Sequence, residues 1–168
     1  RVEAVDPELL ALMARAGCRF LGYGVESGSP RILETLRKQS TVQQSRDAFR
    51  WSAQAGIRTG GFFMIGNPGE TEGDIRMTHR LMEERRPDII QVAFFTPYPG
   101  AAVFQEQLLA DHGYSDFSHY NAPINFSRVA TADLRRWQRR FYQDFIIHTG
   151  FVGRYLRGEL GPILLNPE

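Results

Sequence analysis

The chain has 168 residues, of which 42% are hydrophobic and 23% are charged, and its formal net charge is +1. These values are typical of one globular domain, and the near-neutral charge argues against a nucleic-acid-binding or membrane-surface protein. No apolar run approaches the ~18 residues of a transmembrane helix, and the single cysteine, Cys18, excludes an internal disulfide or a cluster held by several cysteines.

No signal-peptide pattern is visible at the start of the sequence. It opens on Arg1 rather than Met, and charged residues recur every few positions. We therefore expect a cytoplasmic protein and a chain that is part of a longer polypeptide.

Helix and strand patterns alternate from the N-terminus onward. Asp6 and Pro7 suit the N-cap and first position of a helix, and a glycine-interrupted strand is predicted over residues 20–25. Ser29 and Pro30 then predict the N-cap and start of a second helix.

The next segments repeat the order helix, strand, helix. Residues 41–44 have the form of a capping box, and residues 59–65 are an apolar run of strand length flanked by glycine. Thr71 and Asp74 form a second capping box, and Pro87 ends the helix that they open.

A fourth strand and a C-terminal extension complete the pattern. Residues 89–95 predict a strand, and residues 101–110 predict a helix. Thr131 caps an amphipathic helix that ends at Gly150 and carries an apolar face of Leu134, Trp137, Phe141 and Phe145. Strands separated by helices predict right-handed βαβ units, and hence a partial (β/α) barrel over residues 1–110 with a loop and helical extension over 111–168.

Polar residues and glycines follow each predicted strand, at the end where α/β proteins bind ligands. Glu3 and Asp6 lie in or after a first, clipped strand, and Glu26 follows the next. Residues 66–70 and 96–100 follow the third and fourth strands. Carboxylates at this edge can accept hydrogen bonds from a ligand, and glycines let a ligand approach the backbone.

Each of these features also has a purely structural interpretation. Glu26 could cap a helix, residues 66–69 could form a simple tight turn, and Glu70 could brace the start of a helix. Lys38 could pair with Glu34 along one helix face.

The remaining reactive side chains predict no separate site. The chain has four histidines without metal-ligand spacing, so no metal site is predicted; they are His79, His112, His119 and His148. Cys18 is expected to be a small buried residue.

Several short blocks, taken in order, resemble the second half of a radical S-adenosylmethionine (SAM) enzyme core. The resemblance is strongest to the subgroup with an N-terminal cobalamin-binding domain, which includes the anaerobic magnesium-protoporphyrin ester cyclases and cobalamin-type methylases. It extends over residues 1–110, and the aromatic C-terminal segment is similar less specifically. The blocks are residues 1–10, 16–18, 22–29, 36–38, 55–57, 61–71 and 96–100.

The resemblance implies the second half of a six-stranded TIM-like partial barrel. Enzymes of this family reduce SAM at a [4Fe–4S] cluster to generate a 5′-deoxyadenosyl radical. By position, Glu26 would lie near the ribose or methionyl part of SAM, and Lys38 near its carboxylate. The other cofactor-binding residues implied by position flank the adenine or brace its loop: Gly61, Phe63, Ile65, Gly66, Glu70, Thr96, Pro97 and Tyr98.

One part of the family pattern is missing. The Cys-x-x-x-Cys-x-x-Cys loop would lie upstream of Arg1, so this chain alone is expected to hold no catalytic residue, metal or cofactor and to be inactive. We expect the N-terminal half of the same polypeptide as a partner, and self-association through the open barrel edge. A tetrapyrrole or similar apolar small molecule is the expected substrate, and cobalamin a further cofactor of the whole protein. A methylthiotransferase or coproporphyrinogen oxidase relative and a non-enzymatic binding module are alternatives.

Overall fold

Three parallel strands form the centre of the protein in a computed structural model, which describes residues 1–98, 101, 117–118, 120, 124–148 and 153. The strands are β1 Phe20–Glu26, β2 Arg58–Ile65 and β3 Ile89–Phe94, and they pair in that order. This confirms the predicted α/β class and its parallel sheet. Apart from residue 101, the helix predicted over residues 101–110 lies outside the described residues, as does most of the loop that follows it.

Helices precede, connect and follow the strands, as the sequence pattern predicts. They are α1 Pro7–Arg15, α2 Pro30–Thr35, α3 Val42–Gln54, α4 Glu72–Arg85 and α5 Thr131–His148. Both predicted capping boxes are present, at the N-termini of α3 and α4. In the part of the chain that the structure describes, no helix is long and apolar enough to span a membrane.

The predicted clipped strand at the N-terminus is wrong. Residues Val2–Ala4 form a 3-10 turn, and no strand precedes β1 among the described residues. Asp6 instead caps α1, because its side chain accepts a hydrogen bond from the Leu9 N–H at 2.8 Å. Pro7 fixes the first helical position, so the chain turns directly from the 3-10 turn into α1.

The hydrophobic core lies between one face of the sheet and the helices. Tyr23, Phe63 and Phe94 project from the three strands into this core and are at most 2% exposed. The Tyr23 ring packs edge-on against Phe49 of α3, and the ring centroids of Phe63 and Phe141 of α5 are 6.2 Å apart. All four apolar residues predicted for the face of α5 are buried, which confirms that its aromatic stripe packs against the sheet.

The opposite face of the sheet is glycine-rich and more exposed. Gly22 and Gly24 of β1 lie beside Gly60 and Phe62 of β2. Phe62 is 39% exposed, and its ring lies so close over Gly22 that a Cβ there would approach it to 2.8 Å. We call this surface the open face.

Helix α5 also covers the outer edge of β3. The Val92 N–H donates to the Tyr142 hydroxyl at 3.1 Å, and Gln138 donates to the Val92 carbonyl at 2.8 Å. These bonds satisfy two backbone groups that a further strand would otherwise pair with. At the other edge of the three-stranded sheet lies β1.

Candidate functional site

Glu26 and Lys38, which the sequence predicts to bind the same ligand, lie together at the carboxyl end of β1. The Lys38 ammonium is 2.8 Å from Glu26 Oε1, and the two side chains are 24% and 27% exposed. Lys38 therefore pairs with Glu26, which excludes the alternative pairing with Glu34 in this structure. A partly exposed pair of this kind contributes no more than about 1 kcal/mol to stability, so its position suits recognition better than folding.

Local backbone geometry directs the Glu26 side chain towards Lys38. Glu26 has φ 63°, and the register of β1 against β2 shifts between Gly24 and Glu26. A non-glycine residue in this left-handed region is uncommon and costs free energy. Gly24 leaves room for the pair, since a Cβ there would lie 3.0 Å from Glu26 Oε1 and 3.4 Å from Lys38 Nζ.

Glu70 holds the turn after β2 from the inside. Its carboxylate accepts hydrogen bonds from the N–H groups of Gly66 at 2.6 Å and Asn67 at 3.1 Å, and from the Asn67 amide at 3.0 Å. Glu70 is fully buried, and this burial raises its pKa from 4.5 to about 7 despite the opposing hydrogen bonds. Glu70 thus braces the loop, as the structural interpretation predicted, and its assignment to cofactor binding stays a prediction.

Helix α4 joins the loop after β1 to the loop after β2. The Thr78 hydroxyl lies 3.1 Å from the Ser27 hydroxyl and accepts from the Gly28 N–H at 2.9 Å. One turn earlier, Asp74 accepts from the Ser29 hydroxyl at 2.6 Å and from Arg31 at 2.5 Å.

Arg31 extends this network to the second loop. Its guanidinium also donates to the Gly69 carbonyl at 3.1 Å, so one side chain contacts both loops. Although burial opposes ionisation of Asp74, hydrogen bonds from Ser29, Thr71 and Arg31 hold its pKa well below the ordinary value. Asp74 is therefore a buried anion to which both strand-end loops are tied.

The sequence identified Asp74 only as part of a capping box and missed its role between the loops. Ser29 is the N-cap residue of α2 and Pro30 its first residue, as predicted, but the Ser29 side chain makes no capping hydrogen bond and donates to Asp74 instead. No local pattern reports a partner 45 positions away in the sequence.

The residues of β2 that are predicted to bind the cofactor are Gly61, Phe63 and Ile65. Phe63 and Ile65 are buried in the core, and a Cβ on Gly61 would lie 2.8 Å from the Phe63 ring. Their side chains point away from the open face, so only their backbone is available at the strand edge. Phe62, which the resemblance does not assign to cofactor binding, is the exposed aromatic residue of this strand.

The segment after β3 lies at the same end of the sheet as the turn after β2. The Phe95 N–H donates to the Ile65 carbonyl at 2.8 Å, which continues the pairing up to the Gly66 turn. Thr96 is half-buried, Pro97 is buried and Tyr98 is 47% exposed. Pro99 and Gly100 lie outside the described residues.

Comparison with known proteins finds a matching family model and similar proteins. Residues 2–82 match the family model described as Radical SAM superfamily. An anaerobic magnesium-protoporphyrin IX monomethyl ester cyclase of Cereibacter sphaeroides is 29% identical over 95% of this chain and 28% of its own length. A protein of Pyrococcus horikoshii named as an uncharacterized methyltransferase is 28% identical over 95% of this chain and 38% of its length. The chain thus spans less than two fifths of either relative.

A solved structure shares the fold. It is the radical S-adenosylmethionine methyltransferase TsrM from Kitasatospora setae, determined with cobalamin and a [4Fe-4S] cluster bound. The superposition has a TM-score of 0.55 at 24% identity, and covers 64% of this chain and 22% of the TsrM chain. The described sheet is therefore consistent with part of a β/α barrel.

Proposed function

Since this chain belongs to the radical SAM superfamily, we propose that it supplies one wall of the SAM pocket in a longer enzyme. The enzyme uses a SAM-derived radical for oxidative cyclisation or methylation of a tetrapyrrole or a similar apolar molecule. The observation that carries the proposal is the Glu26–Lys38 pair, at the carboxyl end of β1 beside a glycine-rich face.

The two charges complement the two ends of an amino acid. The Lys38 ammonium suits the carboxylate of the methionyl group, and the Glu26 carboxylate suits its ammonium or the ribose hydroxyls. Both side chains are about one-quarter exposed, so a ligand reaches them without first opening the core. Lys38 is also the only lysine in the chain, whose other basic side chains are arginine and histidine.

The surroundings fit a molecule that lies against the backbone. Gly24 places no side chain under the charge pair, and a Cβ there would crowd both charged groups. Glu70 and Asp74 fix the adjacent loops, so the ligand meets a preorganised edge. SAM supplies a carbon-centred radical when it is reductively cleaved, and the described residues bind and orient it.

The residues present do not fit an iron–sulfur cluster. Such a cluster requires several cysteine thiolates, and Cys18 is half-buried before the start of β1, at the end of the strand away from Glu26. We derive no step through the cluster from this chain. We propose that cysteines come from the N-terminal part of the same polypeptide, which would pair with the edge strand β1.

The substrate class rests on the relatives and on the open face. One relative is named for a magnesium-protoporphyrin ester and another as a methyltransferase. Phe20 and Phe62 are 36% and 39% exposed on strands next to each other, and their rings lie over glycines. Such a flat apolar surface suits a large planar molecule, and cobalamin is proposed as a cofactor on the basis of TsrM.

The test uses the longer polypeptide, prepared anaerobically with a reconstituted cluster. Acetylation of Lys38 is measured by peptide mass spectrometry with and without SAM, and SAM affinity is measured by equilibrium dialysis. We expect SAM to slow acetylation several-fold and Lys38→Met to weaken SAM binding by about tenfold, roughly the worth of one charge-assisted contact. Arg37→Met, which removes the neighbouring exposed charge, is the matched control.

The two readouts separate the outcomes. If SAM binds tightly but neither protects Lys38 nor responds to Lys38→Met, the site assignment is wrong. If SAM does not bind at all, the proposed function is wrong. Product mass with candidate tetrapyrroles then distinguishes cyclisation from methylation, and from the methylthiotransferase alternative.

A further inference from the structure

A buried histidine faces two carboxylates where α4 meets α5, on the side of the protein away from the open face. His79 of α4 is 6% exposed, and its Nε2 atom lies 3.0 Å from Asp144 Oδ2 of α5. Its Nδ1 atom lies 3.4 Å from Glu83 Oε2, one turn along α4. Ligand atoms of all three side chains lie within 4.8 Å of one another.

The Nε2 atom makes no hydrogen bond, although Asp144 is close. It is among the few buried polar atoms without a hydrogen-bond partner in the described residues. A buried polar atom without a partner is costly and therefore rare in a native protein. The Asp144 oxygen lies within ion-pair distance of Nε2 but forms no hydrogen bond with it.

We propose that His79 and Asp144 bind a divalent transition-metal ion, with Glu83 holding the histidine in position. Two ligands that each lie about 2.1 Å from one metal ion are about 3.4 Å apart at the tetrahedral angle usual for zinc and about 3.0 Å apart at the right angle of octahedral coordination. The observed separation of 3.0 Å fits the octahedral arrangement. Imidazole and carboxylate are ordinary ligands of zinc and manganese. Metal-binding histidines commonly direct their second nitrogen at a carboxylate, which is the position of Glu83.

The surrounding side chains hold the His79 imidazole in place, and one of them, Arg140, competes with a metal ion for Asp144. The His79 ring packs edge-on against Trp137 and Phe141 of α5. Arg140 Nε lies 3.3 Å from Asp144 Oδ2, and its side chain is 62% exposed. The guanidinium therefore neutralises Asp144 when no ion is bound, and it can swing into solvent when one binds.

An ion at this position would connect α4, which ties the two strand-end loops, to α5, which covers the edge of β3. Because a metal that binds only the folded state stabilises it, binding raises the unfolding temperature. The bound ion would cross-link His79 of α4 to Asp144 of α5 and so fix α5 on the sheet. The inference is independent of the proposed function.

The experiment uses the whole 168-residue chain carrying Cys18→Ser, which removes the thiol as a competing ligand. Chelator-treated protein is titrated with zinc chloride, and then with manganese chloride, by calorimetry and thermal unfolding. We expect one saturable site and a chelator-reversible rise in the unfolding temperature. Asp144→Asn should weaken binding at least tenfold, and Glu83→Gln 10- to 100-fold, as outer-sphere partners of metal-bound histidines do.

Two further variants serve as controls. Arg140→Gln removes the competing cation and should tighten metal binding, an effect that general destabilisation would not produce. Asp133→Asn, which changes another carboxylate of α5, should leave metal affinity unchanged. Absence of saturable binding to the folded protein, or equal affinity in Asp144→Asn, would overturn the proposal. Circular dichroism of each variant confirms that binding is compared between folded proteins.

Discussion

Replacing Glu70 by Gln should alter the pH dependence of stability in a specific way. The pKa of Glu70 rises from 4.5 to about 7 on folding because the carboxyl group is buried. A group whose folded pKa is raised holds its proton more tightly in the folded state than in the unfolded state. Between pH 4.5 and pH 7 the folded protein therefore binds more protons, and its stability falls as the pH rises.

The size of the effect follows from the shift. At 1.36 kcal/mol for each tenfold change in proton affinity, ionisation of Glu70 costs on the order of 3 kcal/mol across this window. Glu70→Gln removes the titration and keeps the side-chain volume. Gln also presents an amide N–H₂ where the carboxylate accepts from Gly66 and Asn67. We therefore expect a loss of about 1 to 3 kcal/mol at low pH from unsatisfied buried donors, and less at pH 7.5.

Urea unfolding of both proteins at half-unit steps from pH 5 to pH 8 measures this. The free energy of unfolding of the wild type should fall relative to that of Glu70→Gln by roughly 2 to 3 kcal/mol over the range, as the shift implies. Other groups that titrate here contribute equally to both proteins and cancel in the difference. A difference that is constant with pH would refute the assignment of a raised pKa to Glu70.

Two further substitutions test how α4 fixes the loops. Asp74→Asn should cost about 2 to 4 kcal/mol at pH 7, because it weakens the hydrogen bonds to a buried anion. The pKa of Asp74 is lowered on folding, so the stability that its ionised form contributes is complete above the unfolded value of 3.8 and is lost as the pH falls below that value. Urea unfolding should therefore show a smaller difference in stability between wild type and Asp74→Asn at pH 3 than at pH 7. An equal difference at the two pH values would contradict this role of Asp74. Gly28→Ala should destabilise by about 1 to 3 kcal/mol through overpacking, since its Cβ would lie 2.5 Å from the Met77 carbonyl oxygen. Gly73→Ala is the matched control, because the nearest atom to a Cβ at Gly73 would be 3.5 Å away. This variant should be neutral or stabilising by up to about 1 kcal/mol. Equal shifts of the unfolding temperature in the two variants would count against the packing argument.

Local sequence patterns predicted the elements well because helix and strand starts depend on neighbours in the chain. The capping boxes at Thr41 and Thr71 join residues three positions apart and are present as predicted. The alternation of strand and helix predicted the parallel sheet. The strand predicted around Glu3 is a 3-10 turn, and the Ser29 side chain bonds to Asp74 rather than to its own helix, because a short polar segment suits more than one local structure.

The candidate site was only partly predictable. The family resemblance assigned Glu26 and Lys38 to one ligand, and the structure shows that they also form an ion pair with each other. The apolar run of β2 predicted a strand without indicating which residues face the core. Alternation along a strand separates two faces but does not say which one is covered, so Phe63 was selected and Phe62 was not.

By itself, the sequence determined the helices and strands, their parallel order, and the family to which the first half of the chain conforms. These depend on capping, periodicity and motif spacing, all of which are read within short stretches of chain. Only the tertiary structure decided which residues meet across large sequence distances. Asp74 between two loops and His79 beside Asp144 are such cases, because packing of helices on the sheet brings together side chains whose spacing carries no signal.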